Sequence, residues 1–94
     1  MSKDGILEIL KLDLLISSDK ADVLLRELIE TSEELISKEG VTVDFESSTD
    51  CSLIRMYAAY LYRQRKDPAA PMPRMLRYAL NNRVFGEKAG GAEQ

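Results

Sequence analysis

The chain has 94 residues, a formal net charge of −3, no histidine and a single cysteine. Area scalings for this mass leave roughly 5,500 Å² exposed when folded against roughly 15,400 Å² unfolded, which allows one thin core and therefore one domain. The composition excludes an internal disulfide, an imidazole-based triad and a zinc site of the His/Cys kind, and no run of about eighteen apolar residues is present to span a membrane.

The first residues, MSKDGILEILKLD, carry Asp4, Glu8 and Asp13 where a secretory signal needs an unbroken apolar stretch, so a cytoplasmic protein is expected. From Ile6 to Ile16, the residues Ile6, Leu7, Ile9, Leu10, Leu14 and Leu15 suit a short buried helix, while the alternation of Leu10, Leu12 and Leu14 also fits a strand. Ser17, Ser18 and Asp19 form a helix-capping cluster, with Asp22 adding a carboxylate to the first turn. The second helix is expected to run to about Glu39. Ala21, Leu25, Leu28, Ser32, Leu35 and Ile36 lie on one face, and Gly40 stands where a left-handed cap is wanted. Glu27, Glu30, Glu33 and Glu34 on the other face read as a solvated surface, since nothing brackets them as a calcium loop would.

Val41 to Thr49 reads as a connector, with Val41, Val43 and Phe45 alternating as in a short extended piece. Ser47 and Asp50 have capping-box spacing, so the third helix is expected to start near Asp50. Leu53, Ile54, Tyr57, Ala58, Tyr60, Leu61 and Tyr62 leave this helix little polar surface before Arg63. That pattern fits a central helix with one flank at an interface, its tyrosine rings inside and its hydroxyls at the edge. Pro68, Pro71 and Pro73 make Asp67 to Pro73 a stiff linker. A fourth helix is expected from Arg74 to about Asn82, with Met75, Leu76, Ala79 and Leu80 on one face; at this length it needs something to pack on. Val84 and Phe85 close that helix end or anchor a partner, and residues 86–94, GEKAGGAEQ, have the composition of a disordered or partner-ordered tail. The expected fold is a small all-α bundle of four helices forming one domain over residues 1–85.

Charge is divided along the chain. Residues 1–50 hold thirteen acidic and five basic side chains, whereas residues 51–94 hold three acidic and eight basic. Either the basic helices pack across the acidic ones within one molecule, or copies stack by opposite-charge contact through a heterologous interface able to close into a ring. No catalytic set is legible. Cys51 lies near a helix start with no base closer in sequence than Arg55 and reads as a small buried hydrophobe, and Gly90-Gly91 lacks the strand and helix that a phosphate loop requires. No enzymatic activity and no cofactor are expected. Arg63, Arg65, Lys66, Arg74, Arg77 and Arg83 fall within a short basic stretch, but the sequence pI is about 4.9 and a dedicated duplex binder is usually strongly basic, so tight DNA binding is not expected.

The segments LKLDLLISSDKADVLLRELIETSEELISKEG, MYAAYLYRQR and MPRMLRYALNNRVF, in this order and with short spacers, resemble the small head-tail connector proteins of long-tailed bacteriophages and of prophages in Gram-positive bacteria. The likeness covers about Ile9 to Phe85, and its most specific part is the Tyr-Ala-Ala-Tyr-Leu-Tyr-Arg helix paired with Met-Pro-Arg-Met-Leu-Arg. It implies an all-helical virion structural protein, an adaptor that forms a cyclic ring of about a dozen copies. The ring would sit beneath the portal protein at the virion neck, after assembly in the host cytoplasm, and would receive a stopper or head-closure protein below. It also implies portal contact by Arg74, Arg77, Tyr78, Arg83 and Phe85. Some members of the wider family end in a longer basic arm, where this chain has GEKAGGAEQ. DNA passing through such a ring must not be gripped, and net negative charge suits that. Tyr60, Arg63, Arg65 and Lys66 are expected at the contact between subunits, the three cations meeting acidic side chains of the next copy. The rival readings are a small helical DNA-binding regulatory protein and a plain interaction module.

Overall fold

The computed structural model describes residues 1–92. Its four helices are α1 (Lys3–Asp13), α2 (Asp22–Lys38), α3 (Ser48–Lys66) and α4 (Arg74–Ala92), with a 3-10 turn at Asp19–Ala21 leading into α2. No described residue lies in a strand, and the architecture is the small all-α bundle that the periodicity predicts.

The choice between helix and strand at the start of the chain falls to helix. The Ser2 hydroxyl accepts a hydrogen bond from the Gly5 amide at 3.2 Å and begins α1 ahead of the apolar run. Ile6, Leu7 and Leu10 then share a buried face while Leu12 points to solvent, so the alternation of leucines marks no common side. The helix ends in a Schellman motif, in which the Ile16 amide donates to the Lys11 carbonyl at 2.8 Å and the Leu15 amide to the Leu12 carbonyl at 3.2 Å. The left-handed residue of that motif is Leu15, at φ 59°, rather than a glycine.

Lys11, almost wholly buried, joins this end of α1 to the start of α2. Its Nζ donates to Asp19 at 2.9 Å and lies 2.9 Å from Asp22, and the two carboxylates, Asp22 first and then Asp19, push the lysine pKa above its ordinary value. Ser18 caps the 3-10 turn by accepting from the Lys20 amide. In α2 the fully buried positions are Leu25, Ile29, Ser32 and Ile36, with Leu28 and Leu35 half-buried beside them. Ile29, absent from the face read in the sequence, completes the i, i+4, i+7, i+11 stripe. Gly40 ends the helix at φ 105°, as its position predicts.

The connector at 41–47 shows its alternation in burial: Val41 is buried, Val43 and Phe45 are half-buried, and Thr42, Asp44 and Glu46 are exposed. Ser47 starts α3 by accepting from the Asp50 amide at 3.2 Å. The capping box expected there is only half made, because the Asp50 carboxylate turns to other donors described below. Leu53, Ile54, Tyr57, Ala58 and Ala59 place α3 at the centre, and α1, α2 and α4 all pack on it.

The fourth helix differs most from expectation. It continues to Ala92 instead of stopping near Asn82, so the described part of the GEKAGGAEQ segment is helical, while Glu93 and Gln94 lie outside the described residues. A contact far away in sequence favours the continuation. Glu87 is held by Thr42 and Arg83, and Gly86 is on the open side, where a glycine breaks no packing. The molecule measures 46 × 30 × 18 Å and exposes 6139 Å², more than the roughly 5,500 Å² typical of this mass. Among the described residues no helix is long and apolar enough to cross a membrane.

Candidate partner interface

The basic half of the chain is divided between internal and outward use. Arg83 lies on the side of α4 that carries Leu76 and Leu80, which are buried against the bundle. Its Nε donates to Asp50 Oδ1 at 2.7 Å, and its Nη2 donates to the Thr42 carbonyl at 2.9 Å and to Asp50 Oδ2 at 3.3 Å. The remaining terminal nitrogen, Nη1, reaches Glu87 at 3.2 Å. Asp50 is 3% exposed and also accepts from the Asp44 amide at 2.9 Å. Glu87 in turn accepts from the Thr42 amide at 2.8 Å, so α4 holds both polar backbone groups of that residue. The Asp50 hydrogen bond raises the Arg83 pKa, and the Thr42 hydrogen bond lowers that of Glu87, each favouring the charged form.

Two further cations of this half are held by the acidic half. Arg77 donates to Glu39 at 2.9 Å and Arg55 to Asp13 at 3.2 Å. Near Glu39, burial and then that carboxylate raise the Tyr57 pKa. The sequence left two arrangements open, folding across within one molecule or stacking between molecules. Arg55, Arg77 and Arg83 follow the first. Among the described residues Arg63, Arg65, Lys66, Arg74 and Lys88 are in no ion pair and remain available for the second.

These five occupy two places. Arg63, Arg65 and Lys66 are exposed on the last turn of α3, where cations suit the helix dipole. Tyr60 and Tyr62 beside them are half-buried. The Tyr60 hydroxyl accepts from Gln64 at 3.1 Å, its ring meets Tyr57 edge-on at 6.1 Å between centroids, and the Lys66 ammonium lies 5.5 Å from the centre of the Tyr62 ring. Arg74 and Lys88 belong to the outward side of α4. That side also presents Met75, Tyr78 and Phe85, with Met75 and Phe85 each 74% exposed. Spacings of three and seven residues put the three on one face, away from Leu76 and Leu80.

Of the residues singled out from the sequence, Arg74, Tyr78 and Phe85 share this outward surface, whereas Arg77 and Arg83 belong to the attachment of α4 to its own bundle. Val84 and Phe85 separate in the same way: Val84 packs against the core and Phe85 does not. Sequence reading passed over Met75 as an outward residue and over Asp50, Glu39 and Glu87 as the acids that hold the arginines. The one available signal was the i, i+4 spacing of Arg83 and Glu87.

A second apolar feature lies between α1 and the first turns of α3. Met1, Ile6, Ile9, Phe45 and Cys51 line a small groove bordered by Glu46, Ser48, Ser52 and Arg55, with the Met1 ammonium donating to the Phe45 carbonyl at 2.6 Å. Cys51 is buried there, its thiol donating to the Phe45 carbonyl at 3.2 Å, in keeping with the small-hydrophobe reading. Among the described residues no cluster of three metal-ligating side chains occurs. No protein-family model matches the chain, and neither does any curated protein or solved structure.

Proposed function

We propose that the chain is a structural subunit of a phage head-tail connector. Copies form a ring beneath the portal, joining the DNA-filled head to the stopper and tail and contributing to the DNA conduit. The observation that carries this reading is the division of the basic half. Three cations fix the bundle internally, while five that are in no ion pair among the described residues stand beside tyrosines at the end of α3 and beside Met75, Tyr78 and Phe85 on α4. Exposed aromatic and basic residues of this kind are the usual constituents of contact surfaces. In a ring below a portal such surfaces have two sorts of neighbour, adjacent copies and the portal. Tyr60, Arg63, Arg65 and Lys66 face an adjacent copy, and Arg74 with the outward side of α4 meets a neighbour that the same molecule does not supply. The solvated glutamates of α2, Glu27 and Glu34, keep the outside of the bundle acidic and give passing duplex little to grip.

The test is co-expression of the full chain with the portal protein encoded in the same genome, followed by electron microscopy of the purified complex. A ring of this chain on the tail-facing side of the portal is expected, and reversal of Arg63 and Arg65 to glutamate is expected to abolish it while the helical circular dichroism is retained. A folded chain that never joins the portal overturns the reading. A gel shift of duplex DNA at moderate salt, with no portal binding, establishes the DNA-binding regulator in its place.

A further inference from the structure

α1, α2 and α3 each pack on the other two, whereas among the described residues α4 packs substantially on α3 alone. The body of the molecule, residues 1–66, is therefore a closed set of three helices to which α4 is appended. The attachment is specific. Leu76 and Leu80 are buried, Arg83 is bonded to Asp50 and to the Thr42 carbonyl, Glu87 to the Thr42 amide, and Arg77 to Glu39. Asp50, Thr42 and Glu39 all belong to the body. The surface that α4 fits is thus repeated, residue for residue, on every copy of the chain.

The linker between α3 and α4 bears on whether α4 must use the surface of its own chain. Residues 67–73 turn back through Asp67, whose carbonyl accepts from the Ala70 amide at 2.9 Å and whose carboxylate accepts from the Ala69 amide at 3.3 Å. This turn is made by Asp67 with its immediate neighbours. Met72, half-buried against the core, lies at the α4 end of the linker and travels with the helix. Pro68, Pro71 and Pro73 have no amide to donate, and the residues before them, Asp67, Ala70 and Met72, avoid the helical region, so the composition favours a straight course over a return. Straightened, these residues reach about 22 Å at roughly 3.1 Å each, which exceeds the 18 Å smallest dimension of the molecule. A stiff linker of that reach also holds α4 at its own α3 with a lower effective concentration than a flexible one would.

We propose that copies of this chain exchange α4. With residues 67–73 extended, the helix leaves its own α3 and seats on α3 of a second copy, where Arg83 meets Asp50 and Thr42 and Arg77 meets Glu39. The contacts are those of the closed molecule, so exchange gives up the Asp67 turn and the independent motion of two chains while keeping the packing of Leu76 and Leu80. Reciprocal exchange makes a dimer, and exchange passed from copy to copy makes a ring or a filament. This goes beyond the connector reading, since it concerns copies alone and requires no portal.

Full-length chains with opposed charges at the attachment test it. One variant carries Arg77→Glu and Arg83→Glu, and the other carries Glu39→Lys and Asp50→Lys. In either variant alone, α4 meets like charge both on its own body and on identical copies, whereas exchange between the two variants places opposite charges together at every pair. Native mass spectrometry of the mixture is expected to show a one-to-one heterodimer about tenfold in excess of the homodimers of either variant. Hydrogen exchange is expected to show α4 protected in the mixture and open in each variant alone. If circular dichroism shows that the Asp50→Lys chain does not fold, Arg77→Glu mixed with Glu39→Lys gives the same comparison at a surface pair, 41% and 35% exposed, with an excess of about threefold. In the parent chain, glycine at positions 68, 71 and 73 is expected to lower the dimer fraction seen by sedimentation at high concentration about threefold. Folded variants that give no excess of heterodimer overturn the proposal. A heterodimer whose α4 amides remain open is plain charge attraction and overturns it too, as does a parent dimer fraction that the glycine replacements leave unchanged.

Discussion

Replacing Arg83 by methionine isolates the attachment that holds α4 to the bundle. Methionine keeps an apolar stem of similar reach, so packing is largely preserved and the change removes the guanidinium. The variant leaves the Asp50 carboxylate, 3% exposed, with the Asp44 backbone amide as its remaining partner, frees the Thr42 carbonyl, and leaves Glu87 with the Thr42 amide alone. Breaking a buried pair at one partner costs about 3–5 kcal/mol, and the 22% exposure of the Arg83 side chain together with the surviving Asp44 bond brings this to about 2–3 kcal/mol. For a domain of this length each kcal/mol lowers the melting temperature by about 4–8 °C, which gives a drop of about 10–20 °C. The assay is thermal unfolding followed by far-ultraviolet circular dichroism at neutral pH, with Asp50→Ala and the double variant completing a cycle. The coupling between the two sites is expected to be about 2 kcal/mol. A melting temperature within about 3 °C of the parent, or strict additivity in the cycle, refutes the view that this pair fastens α4.

Four further outcomes follow from local geometry. Leu15→Gly is expected to stabilise the fold by about 0.5–1 kcal/mol, because Leu15 occupies the left-handed position of the α1 cap with 93% of its surface exposed and gives up no packing; a fall in melting temperature counts against this. Gly40→Ala is expected to cost about 1–2 kcal/mol through the backbone alone, since φ is 105° and a Cβ there meets nothing within 4 Å; an unchanged denaturation midpoint contradicts it. Glu87 has a folded pKa lowered below 4.5, so its contribution is fully present above that value and is lost as the pH falls through the lowered one. Acid unfolding of Glu87→Gln should therefore be shallower than that of the parent across this range, and superimposable curves exclude the contribution. Lys11 has the opposite sign: its pKa is raised above 10.5, so its contribution is present below 10.5 and is lost as the pH rises through the raised value. Lys11→Met is expected to flatten the alkaline limb of the stability curve, and an unaltered limb is the contrary result.

Features set by a few consecutive residues were legible in the sequence. Gly40 and the serine beginning α3 were found because caps depend on local backbone groups, and the centrality of α3 was found because almost every position from Leu53 to Tyr62 is apolar. Features set by contact between distant residues were not. Asp50 has the spacing of a cap partner, yet its carboxylate is drawn away by an arginine thirty-three positions later. The length of α4 depends on Glu87 reaching Thr42 across forty-five positions, while the local glycines argue for disorder. The outward face of α4 was hidden for a related reason. Met75 adjoins Leu76 in sequence and Val84 adjoins Phe85, and only the rotation of α4 relative to α3 decides which member of each pair is buried.

That rotation gives α4 two separable tasks. Leu76, Leu80 and Arg83 determine how firmly and in what orientation the helix is held, and Met75, Tyr78 and Phe85 determine what it meets. Substitutions on the two sides should therefore have opposite signatures. Phe85→Ser removes a side chain that touches little of its own bundle, so it should leave the melting temperature nearly unchanged while lowering association with a second copy or with the portal. Arg83→Met should lower the melting temperature, and should lower association only to the extent that the loosened helix presents its outer face less often. Hydrogen exchange distinguishes the two without a partner. Faster exchange confined to α4 and the Thr42 region is expected for Arg83→Met and not for Phe85→Ser. If Phe85→Ser destabilises the free protein as much as Arg83→Met does, the outer face of α4 is covered within the molecule and offers nothing to a neighbour.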